Sequence, residues 1–184
     1  LAAYLRMTRD EGMDPFQPRG SYAGAMGYGQ FMPSSYLKWA VEFDGDGRRD
    51  LWNPVDAIGS VANYFAVHGW RAGEPVAVRT GASGNTQLKT GFDTRYDLNT
   101  LASAGFRPEG RVPSGEEVSL IRLDASGGYQ YWLGLNNFYV ITRYNHSSYY
   151  AMAVHQLAQA IRARHGGGPD TRLSGVEVVS APAL

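Results

Sequence analysis

Cysteine is absent from the 184 residues. Disulfides and thiol nucleophiles are therefore excluded, while compartment is left open. Neither sign of charge is in excess: 17 Lys plus Arg face 17 Asp plus Glu. That balance argues against nucleic-acid binding and against an anionic membrane surface, both of which need a basic surplus. No apolar run approaches the length needed to span a bilayer. Gly24, Gly27 and Gly29 fall in no G-x-G-x-x-G register after a strand, so a nucleotide loop is rejected. The opening residues carry no leader-peptide pattern. Leu1, Tyr4 and Leu5 instead share one face of a helix already under way, and the chain is expected to be a piece of a longer protein.

Aromatic residues are plentiful, with 12 Tyr and 4 Trp. Their flat apolar faces and polar edges suit sugars, and they equally fill cores. The most informative stretch is AVEFDGDGRRDLWNPVDAIGSVANY, residues 40–64. Glu42, Asp44 and Asp46 alternate, which turns oxygen ligands toward one side of a tight loop, as a hard cation requires. With Glu42 at loop position 1, Gly47 falls at the turn position 6 and Asn53, not a glutamate, at position 12. The next carboxylate is Asp56, at position 15. The stretch is either a lengthened EF-hand loop or a polar turn whose Asp56 caps a helix. The flanks favour helix–loop–helix. Pro33, Ser34 and Ser35 start a helical run to Val41, Asn53 is a natural N-cap, and Pro54 is a natural first helical residue. Ile58, Val61, Ala62 and Phe65 recur at helical spacing until Gly69.

Elsewhere, residues 1–13 read as the end of a helix, and 14–32 as a Gly-rich connection. From Gly73 the texture changes to short apolar alternations, Val76 with Val78 and Val118 with Leu120, which read as strands. Leu98 to Ala104 reads as one helix, ended by Gly105. Residues 129–144, YQYWLGLNNFYVITRY, read as two strands joined near Gly134–Asn137. Residues 145–165 return to a helix with Ala151, Val154, Leu157, Ala158 and Ile161 on one face. The expected fold class is α+β, mainly helical, with this division: 1–72 a helical core part carrying the acidic loop, 73–143 a small β subdomain, 144–165 a core helix, and 166–184 an extended or flexible tail.

Two segments, GSYAGAMGYGQFMPSSYLKWAVEFDGDGRRDLWNPVDAIGSVANYFAVHGW (20–70) and GYQYWLGLNNFYVITRYNHSSYYAMAV (128–154), resemble the membrane-bound lytic transglycosylase B family of bacterial cell-wall enzymes. The likeness covers about residues 1–165. It implies a lysozyme-like helical core with a small inserted β subdomain, and a structural metal site for Ca²⁺, with Na⁺ as the other occupant and no organic cofactor. Carried over by position, its ligands would be Glu42, Asp44, Asp46, the backbone carbonyl of Arg48, and Asp56. Relatives usually place Asp where Glu42 stands.

The resemblance also implies a chemistry. Peptidoglycan is cleaved without water between N-acetylmuramic acid and N-acetylglucosamine. One glutamic acid protonates the glycosidic oxygen, then acts as base while the muramoyl 6-hydroxyl closes on C1, giving a 1,6-anhydro product. Most glycosidases use two carboxylates; here the substrate supplies the nucleophile. In the family that glutamate lies in a Gly-Val-Glu-Thr-Arg type motif, which these residues lack, so it is expected upstream of Leu1. Glu11 in RDEGMD takes the place of an ordinary acidic residue in the family; Glu116 and Glu117 read as solvated. Ser21 would lie beside the acid and Tyr144 would help hold the reacting sugar. Gln30, Tyr64, Asn145 and Tyr150 would line sugar subsites, although Tyr64 and Tyr150 on helices also fit a core. The partners implied are peptidoglycan strands and the N-terminal remainder of the same protein. The place implied is the periplasm of a Gram-negative cell, with outer-membrane anchoring only through an upstream lipid. The competing reading is a non-catalytic, Ca²⁺-stabilised peptidoglycan binder.

Overall fold

A computed structural model describes residues 1–81 and 87–165. The chain divides into two compact units, Leu1–His68 and Gly69–Leu184. The tail expected over 166–184 lies outside the described residues.

The first unit holds three helices: α1 (Ala2–Asp10), α2 (Pro33–Trp39) and α3 (Pro54–Val67). Both α2 and α3 start on a proline, whose fixed φ and missing N–H suit a first helical position. Asn53 caps α3 as expected, its side-chain oxygen accepting the Val55 N–H at 2.9 Å. Between α1 and α2 the Gly-rich connection folds back on itself, pairing Met26 with both Gly20 and Phe31. Met26 and Phe31 are buried there, alongside Met7, Tyr36 and Leu51.

One glycine in this turn is required by its surroundings. Gly27 has a φ of +64°, and a Cβ there would run into the backbone and side chain of Leu51. The Leu51 carbonyl meanwhile accepts the N–H of Tyr28 at 2.9 Å, so it cannot retreat freely. Gly24 also has positive φ (+88°), but open space around it. Gly27→Ala is therefore expected to cost about 3 kcal/mol, left-handed strain plus overlap, against about 1 kcal/mol for Gly24→Ala. Chemical denaturation of the two variants checks this; equal losses would mean that the Leu51 contact is not tight.

In the second unit an antiparallel sheet has the order β2-β1-β4-β3. Its strands are β1 (Ala77–Gly81), β2 (Arg107–Pro108), β3 (Ser119–Ala125) and β4 (Gly128–Gly134), with the helix α4 (Leu98–Ser103) between β1 and β2. β3 and β4 form a hairpin in register Leu120↔Leu133 and Ala125↔Gly128. Its two-residue turn places Gly127 at a φ of +92°. Leu120 and Leu133 pack with Val78, Leu101, Phe106, Val118 and Leu135 into one apolar cluster.

Two expectations need correction here. Residues 129–144 are not two strands: β4 ends at Gly134, and Asn136–Tyr144 is the helix α5. The β-branched residues Val140, Ile141 and Thr142 favour a strand locally. Tertiary bonding overrides them. Asn137, fully buried, accepts the Arg71 N–H at 2.9 Å and donates to the carbonyls of Arg71 (2.8 Å) and Glu74 (3.1 Å). That fixes the start of α5, and Phe138, Ile141 and Thr142 then turn inward at helical spacing. The last helix, α6 (Ser148–His165), is present, but its inward face is Ala151, Met152 and His155. Leu157 and Ile161, expected inside, are 62% and 51% exposed. In an alanine-rich helix several apolar stripes compete, and periodicity alone does not choose between them.

Candidate functional site

The acidic loop joins α2 to α3, and Asp56 closes it. This carboxylate is 1% exposed. One oxygen accepts the Phe43 N–H at 2.7 Å and the other the Asp50 N–H at 2.8 Å, so a single side chain ties both ends of the loop. Ser60, one turn further along α3, accepts the Val41 N–H at 3.0 Å. Inside the loop each acid turns the chain. Asp44 accepts from the Asp46 N–H at 3.1 Å, Asp46 from the Arg48 N–H at 2.8 Å, and Glu42 from the Gly45 N–H. Gly45 and Gly47 take φ of +89° and +82°, which only glycine adopts without strain.

Carboxylate oxygens of Glu42, Asp44 and Asp56 lie within 4.8 Å of one another. Negative charges so close repel one another, and a cation between them would offset that repulsion. Hard oxygen donors on a turning loop fit a hard cation of the Ca²⁺ type. Asp46 stands outside that trio, with one oxygen on the Arg48 N–H.

A brace behind the loop has no signal in the sequence, because its members are far apart in the chain. Glu11, at the end of α1, receives Arg49 Nε at 3.0 Å and Nη2 at 2.5 Å. The Arg49 guanidinium sits over the Tyr36 ring, 4.9 Å from its centroid, and the Tyr36 hydroxyl donates to the Arg49 carbonyl at 2.9 Å. Burial alone would push the Glu11 carboxyl up. The neighbouring Tyr36 hydroxyl, the hydrogen bonds from Arg49 and the Arg49 charge outweigh it and hold the group below the ordinary carboxylate range. Such a group stays ionised and is unsuited to donate a proton near neutral pH.

In the same unit, Ser21 is exposed, and its hydroxyl accepts the Ala25 N–H at 3.1 Å. Gln30 is exposed too, at a φ of +49°, the only positive φ outside glycine among the described residues. Its side-chain amide donates to the Gly27 carbonyl at 2.9 Å, holding the strained turn. Backbone strain of this kind gathers at functional sites. Tyr64 on α3 is buried, 8% exposed. Its ring stacks on His68 (centroids 3.9 Å apart) and meets Trp39 edge-on at 4.9 Å.

The second unit carries the other candidates near the α5–α6 junction. Tyr144 ends α5 half-buried, and Asn145 follows as its exposed C-cap. Tyr150, in the first turn of α6, is half-buried; burial raises its hydroxyl above the ordinary tyrosine range. The Ser147 hydroxyl accepts the Tyr150 N–H at 3.2 Å, capping α6. Hydroxyls, an amide and aromatic faces of this kind can bond and stack on sugars. Among the described residues no helix is long and apolar enough to cross a membrane.

Known proteins resemble this chain in sequence and fold. The family model described as transglycosylase SLT domain matches residues 1–159. Membrane-bound lytic murein transglycosylase B of Escherichia coli (strain K12) is 58% identical over 162 residues, covering 88% of this chain and 44% of that protein. The E. coli lytic transglycosylase SLT35, solved in complex with calcium, superposes with a TM-score of 0.85 at 55% identity, over 89% of this chain and 52% of that one. SltB3 of Pseudomonas aeruginosa, solved in complex with NAG-anhNAM-pentapeptide, gives 0.73 at 35% identity, over 87% of this chain and 44% of that one. The chain thus spans about half the length of the relatives it matches. With these neighbours the fold is lysozyme-like, mixed α+β as expected.

Proposed function

The chain belongs to the transglycosylase SLT domain family, and from that premise we propose that it is part of a peptidoglycan lytic transglycosylase of the Gram-negative periplasm. What supports this reading most is the match across residues 1–159, which takes in every candidate residue and the loop whose carboxylates converge. The reaction is non-hydrolytic cleavage between N-acetylmuramic acid and N-acetylglucosamine, giving 1,6-anhydromuropeptides. Its general acid is a glutamate in the half of the protein that the relatives have beyond this chain. Any lipid anchor to the outer membrane belongs to that half as well.

This chain's own residues bind and orient. The Ser21 hydroxyl stands beside the acid and helps hold its proton. Gln30, Tyr64, Asn145 and Tyr150 line sugar subsites, and Tyr144 steadies the reacting sugar so that its own 6-hydroxyl, not water, reaches C1. Glu42, Asp44, Asp46, the Arg48 carbonyl and Asp56 hold Ca²⁺, or Na⁺ in its place. The cation supplies structural charge balance for the loop and takes no part in the chemistry.

Asn145→Ala tests the reading in the complete enzyme. The side chain is exposed, so the fold should survive its loss. Removing a hydrogen bond that strengthens in the transition state costs on the order of 1–3 kcal/mol, about tenfold to a hundredfold in turnover. Gln30→Ala should lose a similar amount, read against its melting temperature because its amide also holds the Gly27 turn. Wild-type turnover in folded Asn145→Ala would remove that residue from the site.

A further inference from the structure

The second unit carries a cavity of about 480 Å³ that none of the residues above explains. Its walls include Arg71, Arg95, Glu116, Glu117, Ser119 and Tyr139. Arg71 is already neutralised: its Nη1 meets Glu116 and, at 3.4 Å, Glu74. Glu116 is thus held by an ion pair and not simply solvated.

The other two charges are left uncompensated. Arg95 Nη1 donates to the carbonyls of Phe92 (3.0 Å) and Thr94 (2.7 Å) and to the Ser119 hydroxyl (2.9 Å). Its guanidinium lies 4.7 Å from the centroid of the Tyr139 ring. One edge of the cation is therefore locked on neutral groups, while Nε and Nη2 meet no acceptor among the described residues. Glu117, in the same cavity, has no ion-pair partner among the described residues.

A locked guanidinium with two free donor groups is built for one carboxylate, taken side-on. A free carboxylate in the same small space takes an ammonium. A phosphate or other anion would meet Glu117, and a simple amine would meet Arg95; a neutral sugar would use neither. We infer that this cavity binds a zwitterionic α-amino-acid end group, its carboxylate on Arg95 and its ammonium on Glu117. Resting on the proposed peptidoglycan activity, the ligand is the side-chain end of a diamino acid in the stem peptide, where one carbon carries both a free amine and a free carboxylate. The cavity would then recognise the peptide while the sugar subsites hold the glycan.

Calorimetric titration of the 184-residue chain in calcium tests this with defined probes. They are a stem tripeptide ending in such a diamino acid, the same peptide with its side-chain carboxylate amidated, the lysine form lacking that carboxylate, the free diamino acid, and a peptide-free disaccharide. The zwitterionic tripeptide should bind about tenfold tighter than the amidated and lysine forms, the strength of one charge-assisted pair. Arg95→Ala should abolish that preference, Glu117→Gln should weaken all three peptides about tenfold and keep the preference, and both should leave disaccharide affinity unchanged. Glu117→Gln keeps shape and touches no backbone carbonyl, so it tests the ammonium half of the site even if Arg95→Ala loosens the 92–95 turn; unchanged peptide affinities in Glu117→Gln would overturn the inference. Equal affinity for all three peptides would overturn the inference. Free diamino acid binding as tightly as the tripeptide would overturn the stem-peptide assignment. Failure of the disaccharide alone, with the peptide preference intact, would count against the sugar reading and leave this pocket standing.

Discussion

Asp56→Ala is expected to lower the melting temperature by about 10 °C in chelator, and by more in calcium, where a proposed ligand is lost as well. The carboxylate is buried and accepts two backbone N–H groups, from Phe43 and Asp50. Hydrogen bonds to a charged group contribute roughly 1.5–3 kcal/mol each, and the stranded donors add a desolvation cost. At a few degrees per kcal/mol for a chain of this size, a loss of about 4 kcal/mol gives the stated shift. Asp46→Ala should behave differently. Asp46 is exposed and takes only the Arg48 N–H within the loop. As a proposed ligand it matters when a cation is bound, and a cation held only by the folded state stabilises by mass action. Its melting shift should be large in calcium and small in chelator. Equal shifts for Asp46→Ala in both media would mean that no cation uses that side chain. An unperturbed Asp56→Ala protein would mean that the loop is not tied as the structure shows.

The second large effect concerns Glu11. In the first unit it is the carboxylate most open to mistaken identity, because it precedes the Gly-rich turn that carries Ser21 and Gln30. Its bonds give it a structural task instead. Its folded pKa is lowered, so the Glu11–Arg49–Tyr36 brace stabilises the protein above the ordinary carboxylate range. That contribution fades as pH falls through the folded value. Glu11→Gln should therefore melt well below wild type near neutral pH, and the gap should close in acid. A gap that widened on acidification would mean that the group is protonated in the native state, as a general acid would be.

The local grammar of the chain was readable where it was short-range. Asn53 and Pro54 announce α3, and the alternation of Glu42, Asp44 and Asp46 marks the loop, because caps and turns are settled within a few residues. The trio that actually converges swaps Asp46 for Asp56, since closure of the loop depends on α3 placing Asp56 inside. Helix α5 was not readable, because Asn137 is fixed by Arg71 and Glu74, more than sixty residues earlier. Nor was the buried face of α6, where alanines blur the stripe. The Glu11–Arg49 brace and the strained φ of Gln30 have no one-dimensional signature. The resemblance, not the pattern of residues, singled out Ser21, Gln30, Tyr144 and Asn145, since exposed polar side chains look alike in a sequence.

Product analysis of digested peptidoglycan tests the central claim most directly. Mass spectrometry would compare sacculi treated with the 184-residue chain alone and with the chain joined to the half bearing the family's glutamate motif. The account predicts 1,6-anhydromuropeptides from the joined protein and none from the chain alone. Anhydromuropeptides released by the chain alone, and lost in Glu11→Gln, would contradict it.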